Sequence, residues 1–198
     1  MLNQYKNNRS QGFTIIEVMI VLAIAGLILL IVFLAVPALQ RNARNVTRKN
    51  DIAGISGMLS TFESNNNGSL PTGFTTDSSG NTLTACDSPT GVTGLGATVT
   101  STAACSGNQE SAKLGYYNAN NIFVDNVGST VENPGTASAP GTTPSATAVT
   151  SDSVSIDFGE TCGSSGSGGF SPVLSDRAYA IWYVVESSSG NGSLQCSD

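Results

Sequence analysis

Between Glu17 and Arg41 the chain carries no charge, and Val18–Val36 runs for nineteen residues without a charge or a proline. As an α-helix that run is about 29 Å long, close to the thickness of a bilayer's hydrocarbon layer. None of its faces is polar, so it has to be surrounded by lipid or by protein. The rest of the chain is poor material for that task. Charged residues make up only 11% of the sequence, and Gly, Ser, Thr and Asn are abundant beyond the run. The segment therefore reads as a membrane span rather than as a buried helix of a soluble domain.

The front edge of the span is unusual. Met1–Gly12 is a short hydrophilic leader with Lys6 and Arg9 and no acid, and Glu17 sits just inside the apolar run. A cleaved secretory signal would also begin basic, and Val36-Pro37-Ala38 imitates its cleavage site. However, the apolar stretch exceeds the usual 7–15 residues, and signal peptides carry no acid at that position. Gly12 is small enough for a protease to work beside it. A cut between Gly12 and Phe13 would leave the helix attached and give it a new α-amino group.

The residues Gly12-Phe13-Thr14, Glu17 four positions after the phenylalanine, and the long apolar run with Gly26 in its middle resemble the type IV pilin family, including its pseudopilin relatives. The match is specific over residues 6–40 and weak thereafter. The resemblance implies cleavage after Gly12 by a membrane prepilin peptidase and N-methylation of Phe13. It implies an inner-membrane precursor with its C-terminal side outside the cytoplasm. Other pilin subunits and a pilus assembly machinery would then build it into an extracellular filament, for adhesion, motility or DNA uptake. A carboxylate within lipid costs up to about 2.5–3.5 kcal/mol and normally has a partner. The resemblance implies that the partner of Glu17 is the Phe13 amine of a neighbouring subunit. The plainer reading, Glu17 complementing the helix dipole, supplies less than that cost. Pro37 departs from the family, which commonly has its helix-bending proline about three residues earlier. A kink or loosened helix is expected near Phe33–Pro37.

Beyond Pro37 the pattern turns amphipathic. Leu39, Ala43, Val46, Ile52, Ile55, Leu59 and Phe62 recur at three- and four-residue steps. The helix is expected to reach about Ser64 and stop in the Asn-Gly cluster. Arg41, Arg44 and Arg48 would face lipid headgroups, a neighbour's acids, or solvent. They also set up a conflict: counting flanking cations favours an inverted topology, whereas the cysteines and the leader place the C-terminal side outside.

Strands are expected at 96–100, 121–127, 153–159 and 178–186, with a short final strand ending at Cys196. Ala178–Glu186 is apolar on both faces and should be central in the sheet, pressed against the helix. The expected fold is α+β: a long N-terminal helix, transmembrane over 13–39 and amphipathic over 40–64, packed on an antiparallel sheet of about four strands within 65–198 (the pilin fold). Residues 133–150 hold three prolines and no apolar period, and read as a long mobile loop. Their composition permits O-glycosylation, although a plain solvated loop is favoured.

The four cysteines, Cys86, Cys105, Cys162 and Cys196, all follow the apolar run, and none forms CxxC. There is no histidine. Disulfides are favoured over metal binding, which implies an oxidising compartment. Three pairings are possible; the sequential one would contribute about 3–4 kcal/mol per bridge. After Asp51 there are two cations, Lys113 and Arg177, against twelve acids, a net of −10, so this region should repel nucleic acid. No enzyme, metal or cofactor signature survives. Asp157-Phe158-Gly159 lacks a kinase context, Gly163–Gly169 lacks the residues of a phosphate loop, and Asp77–Asn81 lacks the late glutamate of a calcium loop. Two other readings compete with a pilus subunit: a pseudopilin of a type II secretion system, and a monomeric membrane-tethered binding domain.

Overall fold

The computed structural model describes residues 12–88, 93–94, 97–99, 105–126, 149–166, 169–187 and 192–198. The leader up to Gln11 and most of the proline-rich 133–150 stretch lie outside these residues. The chain divides into two compact units, Met1–Gln40 and Arg41–Asp198.

One helix, α1, runs from Ile15 to Asn65 with Pro37 inside it. In the first unit every described residue is exposed. The large apolar side chains from Phe13 to Val36 are 39% to 90% accessible. Mean hydropathy reaches 3.3 over an 18-residue window, and α1 is long and apolar enough to cross a membrane.

In the second unit, α1 presents Ile52, Ile55, Leu59 and Phe62 as a buried stripe. These residues are three or four apart, so they fall on one helix face. The helix stops where the backbone turns left-handed, at Asn67 (φ 55°) and Gly68 (φ 80°). The Gly68 amide then donates to the Glu63 carbonyl at 2.9 Å, closing the last turn.

Among the described residues nine strands follow: β1 (Gly73–Thr76), β2 (Thr82–Ser88), β3 (Thr93–Gly94), β4 (Ala97–Thr98), β5 (Ser106–Lys113), β6 (Ile122–Asn126), β7 (Val154–Gly166), β8 (Gly169–Glu186) and β9 (Gly192–Ser197). They form two sheets, in the orders β3-β1-β2-β5 and β4-β6-β7-β8-β9. The α+β class is as expected, but a single antiparallel sheet of about four strands is not what forms. There is a second sheet, and β6 pairs with β7 in parallel, Ile122 opposite Val154 and Asn126 opposite Phe158. Parallel neighbours cannot be joined by a tight turn, so the chain between them must return along the strand.

Both sheets share one core with α1. Phe74 and Leu83 come from the first sheet; Ile122, Val154, Ile156, Phe158, Ile181 and Tyr183 come from the second. Phe74 stacks on Phe158 with ring centroids 6.0 Å apart, which joins the two. β8 lies between β7 and β9, the central position its two apolar faces demand. Ile181 and Tyr183 face the main core, whereas Ala180, Trp182 and Val184 form a second cluster with Val149 and Cys162.

This packing sets an expected contrast. Leu59 is fully buried, so Leu59→Ala should destabilise the second unit by about 2–5 kcal/mol. Val46 is 58% exposed, so Val46→Ala should stay within about 0.5 kcal/mol. Thermal unfolding of the full chain in detergent micelles measures both.

Candidate functional site

The helix start is organised by two residues. The Thr14 amide donates to Glu17 Oε2 at 2.8 Å, and the Thr14 hydroxyl donates to the same oxygen at 2.7 Å. In return the Glu17 amide points at Thr14 Oγ1 at 3.4 Å. This is a reciprocal capping box: a Thr at the cap and a Glu three residues on satisfy amides that have no partner inside the helix. The sequence carries the signal as Thr14-x-x-Glu17, but reasoning centred on the charge of Glu17 passes over Thr14. Glu17 thus has a partner within its own chain while the Gly12–Phe13 peptide bond is intact and Phe13 has no free amine. Phe13 is 90% exposed. A Cβ added to Gly12 would meet nothing within 4 Å, so packing inside the chain does not require glycine there.

A second constellation gathers where α1 meets the end of β8. Arg44 grips the Glu186 carboxylate with two bonds, from Nε to Oε1 at 3.0 Å and from NH2 to Oε2 at 2.6 Å. Arg48 NH2 donates to Glu186 Oε1 at 2.8 Å. The same nitrogen donates to the Tyr116 hydroxyl. The Arg48 guanidinium lies 4.2 Å from the centroid of the Tyr116 ring and is completely buried. Tyr116 passes the chain on, donating to Asp152 Oδ1 at 2.9 Å. Asn45 completes the grip on the backbone of Glu186. Its amide donates to the Glu186 carbonyl at 2.8 Å, and its carbonyl accepts from the Glu186 N–H at 2.9 Å. The hydrogen bond from Arg44 is the largest influence on the Glu186 carboxyl, with Arg48 adding to it. Together they hold the carboxyl down to about 2.

One turn further on, Asp51 is buried and accepts from the amides of Gly115 and Tyr116 at 2.8 Å each and of Tyr117 at 3.0 Å. The sequence-based placement of the arginines needs correction here. Arg44 and Arg48 are bonded to the chain's own β8, and Arg48, being completely buried, is not part of a solvated face. Arg41 NH1 also donates inward, to the Ser187 carbonyl at 3.3 Å. The spacing of Arg48 to Ile52, Ile55 and Leu59 places it on the buried stripe and signals its burial. Its counter-ion, 138 residues away, has no local signature.

The cysteines pair in sequence order, Cys86 with Cys105 and Cys162 with Cys196, each with Cα atoms 5.7 Å apart. That distance lies within the normal range for a disulfide. The second bridge ties β7 to β9 beside Trp182, which donates from Nε1 to the buried Glu160 at 3.2 Å. Burial pushes the Glu160 carboxyl up, and the Trp182 bond partly offsets this. Asp77–Asn81 is the β1–β2 turn: Asp77 Oδ1 accepts from the Ser79 hydroxyl and the Asn81 amide, each at 2.9 Å. Gly80 there has φ 75°, and an added Cβ would come 2.3 Å from Asn118 Oδ1, so glycine is required. Among the described residues no group of three or more His, Cys, Asp or Glu side chains is placed to hold a metal ion.

Residues 7–33 match the model of the prokaryotic N-terminal methylation motif. That motif is the class III leader of type IV pilins and pseudopilins, and it implies processing by a prepilin peptidase and assembly with other pilins. No curated protein and no solved structure matches the chain.

The Glu186 cluster predicts an acid response. A carboxyl held well below its unfolded value contributes stability above about pH 4.3 and loses it as the pH falls through the folded value. Glu186→Gln should cost about 3 kcal/mol at neutral pH, because it strands a fully buried Arg48. The cost sits at the low end for such pairs because the Glu186 side chain keeps 25% of its surface exposed. The gap in unfolding temperature between wild type and Glu186→Gln should narrow steadily as the pH falls from 4.5 to about 2. A gap independent of pH in that window would contradict this assignment.

Proposed function

We propose that the chain is a structural subunit of a type IV pilus filament. It would be made as a single-pass membrane precursor and cleaved between Gly12 and Phe13. After N-methylation at Phe13 it would polymerise through the apolar part of α1. One observation carries this reading: the methylation motif at residues 7–33 heads a helix whose large apolar side chains are 39% to 90% exposed through Val36. Such a surface is stable only in lipid or against other apolar helices. Copies of the same helix are the surroundings a filament core would supply. The acidic second unit, with its two disulfides, would then form the outer surface.

Glu17 takes a conditional part in this reading. In the precursor its carboxylate is satisfied by Thr14. Cleavage frees the Phe13 amine, a cation able to compete for the same oxygens. A neighbour's amine reaching Glu17 would offset the cost of keeping a carboxylate in lipid and fix the axial register of subunits. Pro37, inside α1 but short of one backbone donor, is the point at which the helix yields during packing. A pseudopilin carries the same class of leader; two disulfide-stapled loops in the outer unit favour the pilus subunit.

Shearing cells and analysing the released fibres tests the reading. Fibres built of this chain and beginning at N-methylated Phe13 are expected. A full-length chain that stays in the membrane fraction would overturn the proposal in favour of a tethered monomeric domain. Glu17→Ala should be cleaved normally yet enter fibres poorly, and an unchanged fibre yield would remove the charge-pairing role.

A further inference from the structure

We propose that Glu186 is a latch that sets the N-terminal limit of the cooperatively folded part of α1. The property belongs to the single chain, polymerised or not, so it stands or falls independently of the filament reading.

Among the described residues, hydrogen bonds from α1 to the sheets start at Arg41. Upstream, Phe33, Leu34 and Leu39 are 65% to 76% exposed. Pro37 leaves the Phe33 carbonyl without its helical donor. Local opening of that stretch therefore breaks few tertiary contacts within the chain. From Arg41 the situation reverses. Arg41 donates to the Ser187 carbonyl, and Arg44, Asn45 and Arg48 all converge on Glu186. The Asn45 contact is the telling one. Its side-chain amide both donates to and accepts from the Glu186 backbone, as the next strand of the sheet would. The last residue of β8 and one turn of α1 are thereby joined through both backbone and carboxylate. Unwinding at Asn45 would expose the Glu186 backbone and strand Arg48, which is completely buried. Opening this turn therefore means opening the end of the sheet as well.

The next grip is Asp51, which holds the backbone amides of Gly115, Tyr116 and Tyr117 and makes no bond to Glu186. The two grips lie a little over one helical turn apart. Losing the first should move the limit to the second and no further, because Ile52, Ile55 and Leu59 are then packed in the core.

Hydrogen–deuterium exchange of the full chain in detergent micelles reads this limit. In the wild type, protection should rise in one step between Ala38 and Arg48, with residues 45–50 exchanging as slowly as residues 52–62. In Glu186→Gln, exchange over 44–50 should accelerate about a hundredfold, while residues 52–62 change far less. If that variant exchanges everywhere, Arg44→Gln decides, since Arg44 is the outer arm with 42% of its side chain exposed. A severalfold acceleration confined to 44–50 supports the latch. Three results would overturn it: a wild-type step located at Asp51, unchanged exchange over 44–50 in Glu186→Gln, or an Arg44→Gln effect that is absent or uniform along the helix.

Discussion

Arg48 carries a guanidinium into a place that water does not reach, and its neighbours are arranged around that fact. Removing an ion from water costs several kcal/mol even after the protein relaxes, so the fold has to answer it with a counter-charge and hydrogen bonds. Glu186 supplies the charge, Asn45 and Tyr116 supply acceptors, and the Tyr116 ring supplies a π-face. Each partner is in turn held by something else. Glu186 is fixed by Arg44 and Asn45, and Tyr116 by Asp152 and by Asp51 through the backbone. An end of β8, the loop before β6 and one turn of α1 are thus locked together. Hydrophobic burial alone would bring these elements close; the buried cation specifies how they meet.

The same helix meets opposite demands along its length. From Ile52 to Phe62 one stripe is buried against two sheets, which water tolerates because the other faces are polar. From Phe13 to Val36 the large apolar side chains are exposed, and in water that surface would drive aggregation. Lipid satisfies it before assembly, and in the proposed filament other copies satisfy it afterwards. The capping box at Thr14 and Glu17 fits this view. A helix start in a low-dielectric medium has no water for its first amides, so the chain brings its own acceptors.

Much of this was legible in the sequence, for physical reasons that differ from element to element. The long helix announced itself by an unbroken apolar run followed by a 3.6-residue stripe. β6, β7 and β8 announced themselves through Ile122, Ile156, Ile181 and their neighbours, because strands that build a core are rich in branched and aromatic residues. β1, β2 and β5 did not. Sequences such as Ser106–Lys113 are polar and place one small residue, Ala112, in the core, so they are strands by pairing rather than by composition. The parallel pairing of β6 with β7 leaves no mark in either strand. Arg48 resembled any juxtamembrane cation because its partner lies at the far end of the chain. The spacing of Thr14 to Glu17 is a capping pattern, but the cost of a charge in lipid is the stronger signal at the same residue and masks it.

The parallel β6–β7 pair has a consequence for how this protein can vary. To pass from Asn126 to Val154 the chain must travel back the length of β6, about 16 Å at the rise of a strand. A crossover between parallel neighbours takes about a dozen residues or more. The sequence provides residues 127–153 for it, more than the topology demands, and Val149 within that span is buried with Trp182 and Val184. The surplus is length that the strand register does not constrain. The pairing of Ile122 with Val154 and of Asn126 with Phe158 therefore sets a minimum length for that connection and no maximum.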